Sequence, residues 1–379
     1  EIEPSPYDAA TAYIVFSNFN VYDEYKPYIF KTTDYGKTWT NLSDKFPQDE
    51  ITRTIREDKI RKGLLFIGTE TGVYYSLNDG QSWDKLKANL PAVPVVDMKI
   101  KNEDLVIATN GRGLWIMDDL TPLREKSTEI DAKQTHLYPI SDHTRFGYNW
   151  WMDYVPGGDP GDKKNYFVQN MRPGLTYYEL GFIPVNGERK RKFIDAGDAK
   201  SLGAVMYFNL AKEPEEISLA ILDKDGKEIR NYSKEQMSLN YGKDDNFNTG
   251  LNKFVWDMRI NRVTSVPNRP PTAIAPIVTP GKYKAKLTVD GYEETQEFEI
   301  LMSPKETYTQ EQADDKFKFW MEMYNAAENS TQNVIAALKT KEDVTTKIEA
   351  FRSSGASSGK IKKAEKQGQV ISKIVTDYE

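Results

Sequence analysis

The stretch SLNDGQSW, Ser76 to Trp83, sets a hydroxyl residue, an Asn-Asp-Gly turn, a second hydroxyl and a tryptophan side by side. KTTDYGKTW, Lys31 to Trp39, carries the same order of residue types, with Trp39 standing 44 positions before Trp83. Asp-Tyr-Gly and Asn-Asp-Gly supply the positive-φ positions that a tight hairpin needs, and the flanking Ser or Thr hydroxyls satisfy backbone groups within the turn. The tryptophan is then expected to fold beneath the turn, burying its ring and offering its indole N–H to the loop. Each stretch reads as a self-contained hairpin clip.

Shifting the sequence against itself by 44 places Thr32, Asp34, Gly36, Thr38, Trp39, Leu42 and Pro47 on Ser76, Asn78, Gly80, Ser82, Trp83, Leu86 and Pro91. A period of about 40 to 45 residues built from short strands is the pattern of propeller blades. YIF precedes the first clip and LLFIGTETGVYYS the second, both rich in β-branched and aromatic residues. A third unit begins at PVVDMKIKNEDLVIATNGRGLWIMDD, where Gly113 and Leu114-Trp115-Ile116 repeat the part of Gly72 and Val73-Tyr74-Tyr75. It lacks a third clip and a clear outermost strand. Residues 1–120 therefore read as about three blades, whereas propellers typically have about 4 to 8. The expectation is the C-terminal portion of a propeller, completed by further blades of a parent chain or by a partner.

KTTDYGKTW resembles the Asp-box, S/T-x-D-x-G-x-T/S-W, of BNR-repeat propellers, with Thr32, Asp34, Gly36, Thr38 and Trp39 at its positions. GLLFIGTETGVYYSLNDGQSW with LPAVPVVDMKI and ATNGRGLWIMDD resembles the bacterial sortilin-like group often labelled glycosyl-hydrolase-like. Ser76, Asn78, Gly80, Ser82 and Trp83 form the second box. Asn78 departs from the usual Asp, which is expected to weaken a turn contact, and Asn110 stands where such proteins often carry His. The resemblance implies that the boxes are structural, so that Asp34 and Asp79 are not catalysts.

Beyond the clips, residues 121–200 read as an irregular connection, with Trp150 and Trp151 crowded against a Gly/Pro/Asp loop. From 201 to 303 short strands recur at even spacing, with Asp225-Gly226 and Asp290-Gly291 at hairpin turns. That spacing indicates a small β-sandwich. The segment GLNKFVWDMRI with TPGKYKAKLTVDG resembles the immunoglobulin-like module found after such propellers.

After Pro304 the period changes to 3.6. Thr309 and Gln312 form a candidate capping box, and Phe317, Trp320, Met321, Tyr324, Ala327, Val334, Ile335 and Leu338 mark a helical stripe. A shorter helix over about 342–351, a flexible SSGASSG linker and a last amphipathic segment with Ile361, Ala364, Ile371 and Val375 complete a helical tail, 304–379.

The chain as a whole is mainly β: a partial β-propeller, an immunoglobulin-like β-sandwich and a C-terminal α-helical tail. Its 22 tyrosines and seven tryptophans among 379 residues fit that leaning. A net charge of -6 with interspersed signs argues against nucleic acid, and no apolar run reaches a membrane-spanning length. Cysteine is absent, which excludes disulfides and thiolate chemistry.

Candidate chemistry is sparse. His136 and His143, the only histidines, lack a zinc-site pattern and read as packing or surface residues. Asp153, Asp159 and Asp162 are candidate Ca²⁺ ligands, with a solvated acidic turn as the competing reading. Trp150, Trp151 and Arg112 are candidate ligand-binding residues, although the two tryptophans read better as plugging a seam between propeller and sandwich. Arg53, Arg56, Arg61 and Arg112 would have to cluster to hold a substrate carboxylate, and are better explained as strand-edge and loop charges. No catalytic residue is assigned and no cofactor beyond Ca²⁺ is expected. The sequence points to an extracytoplasmic scaffold for protein or peptide recognition. The alternative is a carbohydrate-active glycoside hydrolase with catalytic residues in other blades.

Overall fold

The computed structural model describes residues 1–145, 166–171, 174–182, 189–193, 203–238, 247, 249–267 and 275–377. The chain is mainly β, with several antiparallel sheets and a C-terminal helical segment. It divides into two compact units, Glu1–Tyr138 and Pro139–Glu379.

In the first unit each hairpin-rich repeat closes into a meander. Strands β1 (Ile2–Pro4), β2 (Ala12–Phe16), β3 (Tyr28–Thr32) and β4 (Thr40–Asn41) form one sheet in that order, with a four-residue helix α1 (Phe19–Tyr22) between β2 and β3. Strands β5 (Thr52–Glu57), β6 (Leu65–Thr69), β7 (Val73–Ser76) and β8 (Asp84–Lys85) form a second of the same order. Strands β9 (Val95–Lys101), β10 (Asp104–Thr109) and β11 (Leu114–Met117) form a third that lacks a fourth strand. Short helices α2 (Thr121–Glu125) and α3 (Thr128–Asp131) and a short strand β12 (Thr135–Leu137) end the unit.

The second sheet explains why its sequence is so apolar. Ile55, Leu65, Ile67 and Tyr74 on one face pack with Tyr13, Val15 and Ile29 of the first sheet and with Leu42 and Phe46. Leu64, Phe66 and Val73 on the other pack with Val95, Met98, Ile100, Leu105 and Ile107 of the third. Leu65, Phe66 and Ile67 are thus all fully buried, as expected of a strand covered on both faces. Gly68 permits this stacking, because a Cβ there would stand 2.6 Å from both Thr54 Cγ2 and Val95 Cγ1. The outer faces of the end sheets are open by contrast. Leu114, the repeat equivalent of the 1%-exposed Val73, is 74% exposed, and Ile116 is 61% exposed. On the first sheet, Phe16 stacks on Tyr28 and Phe30 at 4.7 and 5.8 Å between centroids while remaining 39% exposed.

The second unit opens with β13 (His143–Thr144) and a meander of β14 (Tyr166–Met171), β15 (Gly174–Phe182) and β16 (Arg189–Phe193). This corrects the expectation that 121–200 is irregular. YFVQNM and GLTYYELGF are rich in residue types that favour extended backbone, and Gly174 starts the second of these strands. Next come β17 (Ala204–Leu210), β18 (Ile217–Leu222), β19 (Glu228–Tyr232), a short helix α4 (Lys234–Ser238), β20 (Gly250–Trp256), β21 (Gly281–Val289) and β22 (Tyr292–Leu301). β17 pairs with β20, and a five-stranded sheet runs β13-β22-β21-β18-β19. Asp290 and Gly291, both at positive φ, make the two-residue β21–β22 turn. Trp256, fully buried on β20, meets Tyr283 and Phe298 of the five-stranded sheet at 5.7 and 6.1 Å between centroids, and its indole donates to the Arg259 carbonyl at 2.9 Å.

The helical tail differs from its sequence reading. One 44-residue helix α5 (Gln310–Ser353) replaces the two shorter ones, and it opens on the full Thr309/Gln312 capping box. The helix runs on through Lys339, Thr340 and Lys341, Lys being a good helix former, and Thr345 and Thr346 return their hydroxyls to the Lys341 and Glu342 carbonyls. The Ser/Gly stretch shortens to a turn, with Gly355 at φ +70°, before α6 (Ser358–Asp377). Gly368 then brings α6 close to Val344 and Ile348 of α5. Of the expected stripe, Trp320 is 49% exposed, and Phe319 and Met323 beside it are also open.

Candidate functional site

The two clips have matching hydrogen bonds. In the first, Thr32 Oγ1 donates to Asp34 Oδ1 at 2.8 Å and accepts from the Gly36 amide at 2.9 Å, while Thr38 gives its amide and hydroxyl to the Asp34 carboxylate at 2.8 and 2.7 Å. In the second, Ser76 Oγ donates to Asn78 Oδ1 and accepts from Gly80 N, and Ser82 N donates to Asn78 Oδ1, all at 2.9 Å. Asn78 in place of Asp still makes the turn contact, through a neutral rather than a charged group. Its amide nitrogen donates to Ser82 Oγ at 2.9 Å, so the contact survives with donor and acceptor exchanged.

The tryptophans divide the role foreseen for each. Trp39 gives its indole N–H to the Gly36 carbonyl at 3.1 Å but leaves its ring 42% exposed. Trp83 packs edge-on against Phe46, 5.4 Å between centroids, but its buried Nε1 has no hydrogen-bond partner. Phe46, the ring that covers Trp83, comes from the preceding repeat. The same asymmetry separates Tyr35 from Asp79, which are equivalent left-handed positions at φ 62° and 60°. Tyr35 is 75% exposed. Asp79 instead accepts from Tyr13 Oη at 2.6 Å, pairs with Lys31 and gives its amide to the Gly63 carbonyl, tying the second clip to the first sheet. Burial and the Asp79 hydrogen bond push the Tyr13 phenol far above its ordinary value. These groups hold sheets together.

Thr38 holds the Asp34 carboxyl below its ordinary value of 3.8. A folded-state value below the unfolded one means that the first clip is intact above the unfolded value and loosens as pH falls through the folded one. Asn78 cannot titrate. In an NMR titration, the Thr38 amide is expected to shift with a midpoint below 3.8, whereas the Ser82 amide does so only after Asn78→Asp.

At the opposite ends of the strands the loops form a cleft. The β2–β3 loop contributes Phe19 and Tyr25, the β4–β5 connection Asp49 and Ile51, the start of β5 Arg53, and the β6–β7 loop Glu70, around a volume of about 400 Å³. The Phe19 and Tyr25 rings stand 4.9 Å apart at 57°. Ile51 is buried, and Arg53 is engaged by Glu70.

The candidate arginines are not brought together. Arg53 pairs with Glu70, Arg56 with Glu1, Glu3 and Asp97, and Arg61 donates to the carbonyls of Leu123, Arg124 and Lys126 at the end of α2. Arg112 is exposed, its carbonyl accepting from the Trp115 indole at 3.0 Å. His136 Nδ1 lies 3.2 Å from Lys133 Nζ, and His143 Nε2 lies 3.0 Å from the Val205 amide nitrogen. Among the described residues no three His, Asp or Glu side chains converge as a metal site. Trp150, Trp151, Asp153, Asp159 and Asp162 lie outside the described residues. No helix among those described is long and apolar enough to cross a membrane. The cleft and the buried Arg124–Asp58 pair were absent from the sequence reading.

Residues 28–135 match the sortilin-Vps10 family model, described as sortilin, neurotensin receptor 3. The match takes in 108 of the chain's 379 residues and makes that stretch similar to a BNR-type β-propeller. No curated protein matches the chain. Among solved structures, YCF48 bound to D1 peptide is 13% identical, with a TM-score of 0.21, over 55% of this chain and 48% of that one. PorZ, a surface component of the type-IX secretion system of Porphyromonas gingivalis, is 10% identical, with a TM-score of 0.23, over 77% and 37%. An ancestral GH74 enzyme is 11% identical, with a TM-score of 0.22, over 61% and 26%. The chain spans less than half the length of each of these three. Likeness at that level says nothing of ligand or reaction. The matched stretch contains both clips, the third sheet and most of the cleft.

Proposed function

We propose that the protein is an extracytoplasmic recognition scaffold, in which the sortilin-type segment carries loops that bind a protein or peptide. The observation that carries this reading is the division of labour between strand ends: hydrogen-bonded clips at one end, and at the other a cleft lined in part by Phe19 of α1, the helix that also exposes Val21 and Tyr22, each 70% accessible. Rigid sheets that present variable loops are a common basis for binding. The open faces at Leu114 and Ile116 and at Phe16 support a larger assembly in which further sheets of the same kind cover them. The Asp34 and Asn78 networks support a structural rather than a catalytic role for the clips.

Selection of a random twelve-residue peptide library on the immobilised chain tests the reading. Enrichment of peptides whose binding is lost in a Val21→Ser/Tyr22→Ser variant is expected, with no sugar release from a polysaccharide panel. Failure to enrich any peptide, together with polysaccharide cleavage abolished by changing a single carboxylate, would replace it with the glycoside hydrolase alternative.

A further inference from the structure

We infer that the loop cleft takes a basic side chain, the ammonium of a lysine or the guanidinium of an arginine, carried by a peptide laid over that end of the sortilin-type segment. The inference rests on the peptide-recognition reading and names the ligand chemistry. Phe19 and Tyr25 present two tilted rings to a 400 Å³ space, and the negative faces of such rings attract cations. Ile51 gives an apolar surface for the methylene stem of a long basic side chain. Three charges line the space: Asp49, Glu70 and Arg53. Glu70 already engages the Arg53 guanidinium through both Nε and Nη2, which leaves the exposed Asp49 carboxylate as the free charge among the lining residues.

Behind them, between Asp49 and Ile51, Glu50 is 5% exposed. Its Oε1 accepts from Thr71 and from Tyr74 at 2.9 Å, while its Oε2 has no hydrogen-bond partner. Lys85 Nζ, 3.9 Å from Oε1, is its nearest cation. The local field is therefore negative, and an anionic ligand would have to displace Glu70 from Arg53. A cation meets the free carboxylate and two ring faces without breaking an existing pair.

The test is fluorescence anisotropy on the full chain with four nine-residue peptides of alanine and leucine that differ only in a central Arg, Lys, Gln or Glu. The Arg and Lys peptides are expected to bind at least about tenfold more tightly than the Gln peptide. Tyr25→Ala and Asp49→Asn are each expected to weaken the Arg peptide about fivefold and to leave the Gln peptide unchanged. Both positions are exposed, and circular dichroism verifies that the variants fold. Tighter binding of the Glu peptide would overturn the inference in favour of an anion on Arg53. Equal binding of all four would overturn it while leaving peptide recognition standing, and binding by none would overturn it and leave the library selection to decide the broader reading.

Discussion

Replacing Arg124 by alanine is expected to destabilise the first compact unit by about 3–5 kcal/mol, the usual cost of stripping one partner from a buried ion pair. Arg124, on α2, and Asp58, in the turn after β5, have side chains 6% and 0% exposed, and the guanidinium reaches the carboxylate through Nη2 at 2.8 Å and Nε at 3.2 Å. Glu103 is its second acidic partner. Without Arg124, the Asp58 charge stays out of water with only the Ile60 and Arg61 amides to hold it. Urea unfolding followed by hydrogen exchange of peptides from residues 1–138 measures the loss. A combined Asp58→Asn/Arg124→Met variant is expected to recover part of it, because Asn keeps the turn bonds and Met fills the volume without charge. A loss below about 1 kcal/mol for Arg124→Ala, the level of an exposed pair, would show that the pair is solvated.

Trp256→Ala is expected to cost about 3–5 kcal/mol in the second unit. The ring is fully buried and joins two sheets through its edge contacts with Tyr283 and Phe298. Its removal leaves a cavity between the sheets and deprives the Arg259 carbonyl of its indole donor. Trp256→Phe should cost less, since it keeps much of the volume and loses the hydrogen bond. Urea midpoints from far-ultraviolet circular dichroism compare the two. Equal small effects would mean that the sheets do not share a core at Trp256.

The clips were legible because their chemistry is local. Asp34 and Thr38 are four residues apart, so hydroxyl, carboxylate and glycine positions reveal the turn before any fold is known. Asp79 was legible as a turn residue but not as a tether, because its partner Tyr13 lies 66 residues away and nothing in either neighbourhood announces the other. The Arg124–Asp58 pair is hidden for the same reason, at the same separation.

The cleft is harder still to read. Phe19, Ile51 and Glu70 come from three connections whose convergence is a property of the stacked sheets. In the tail, composition misled twice. Residues 339–341 read as a break between two helices but continue α5, and the Ser/Gly stretch read as a linker but is a turn between two packed helices. Helix propensity and tertiary contact outweighed hydrophobic periodicity there.

The central claim is that the sequence repeats stack as successive sheets, with the second covered on both faces and its neighbours on one. Native-state amide exchange across β3, β6 and β10 tests it directly, because each of these strands is hydrogen-bonded to two neighbours and they differ in how their faces are covered. In this 379-residue chain, the β6 amides are expected to exchange most slowly, through unfolding of the whole unit, and those of β3 and β10 faster. Exchange at β6 as fast as at β3 and β10 would contradict the stacked arrangement.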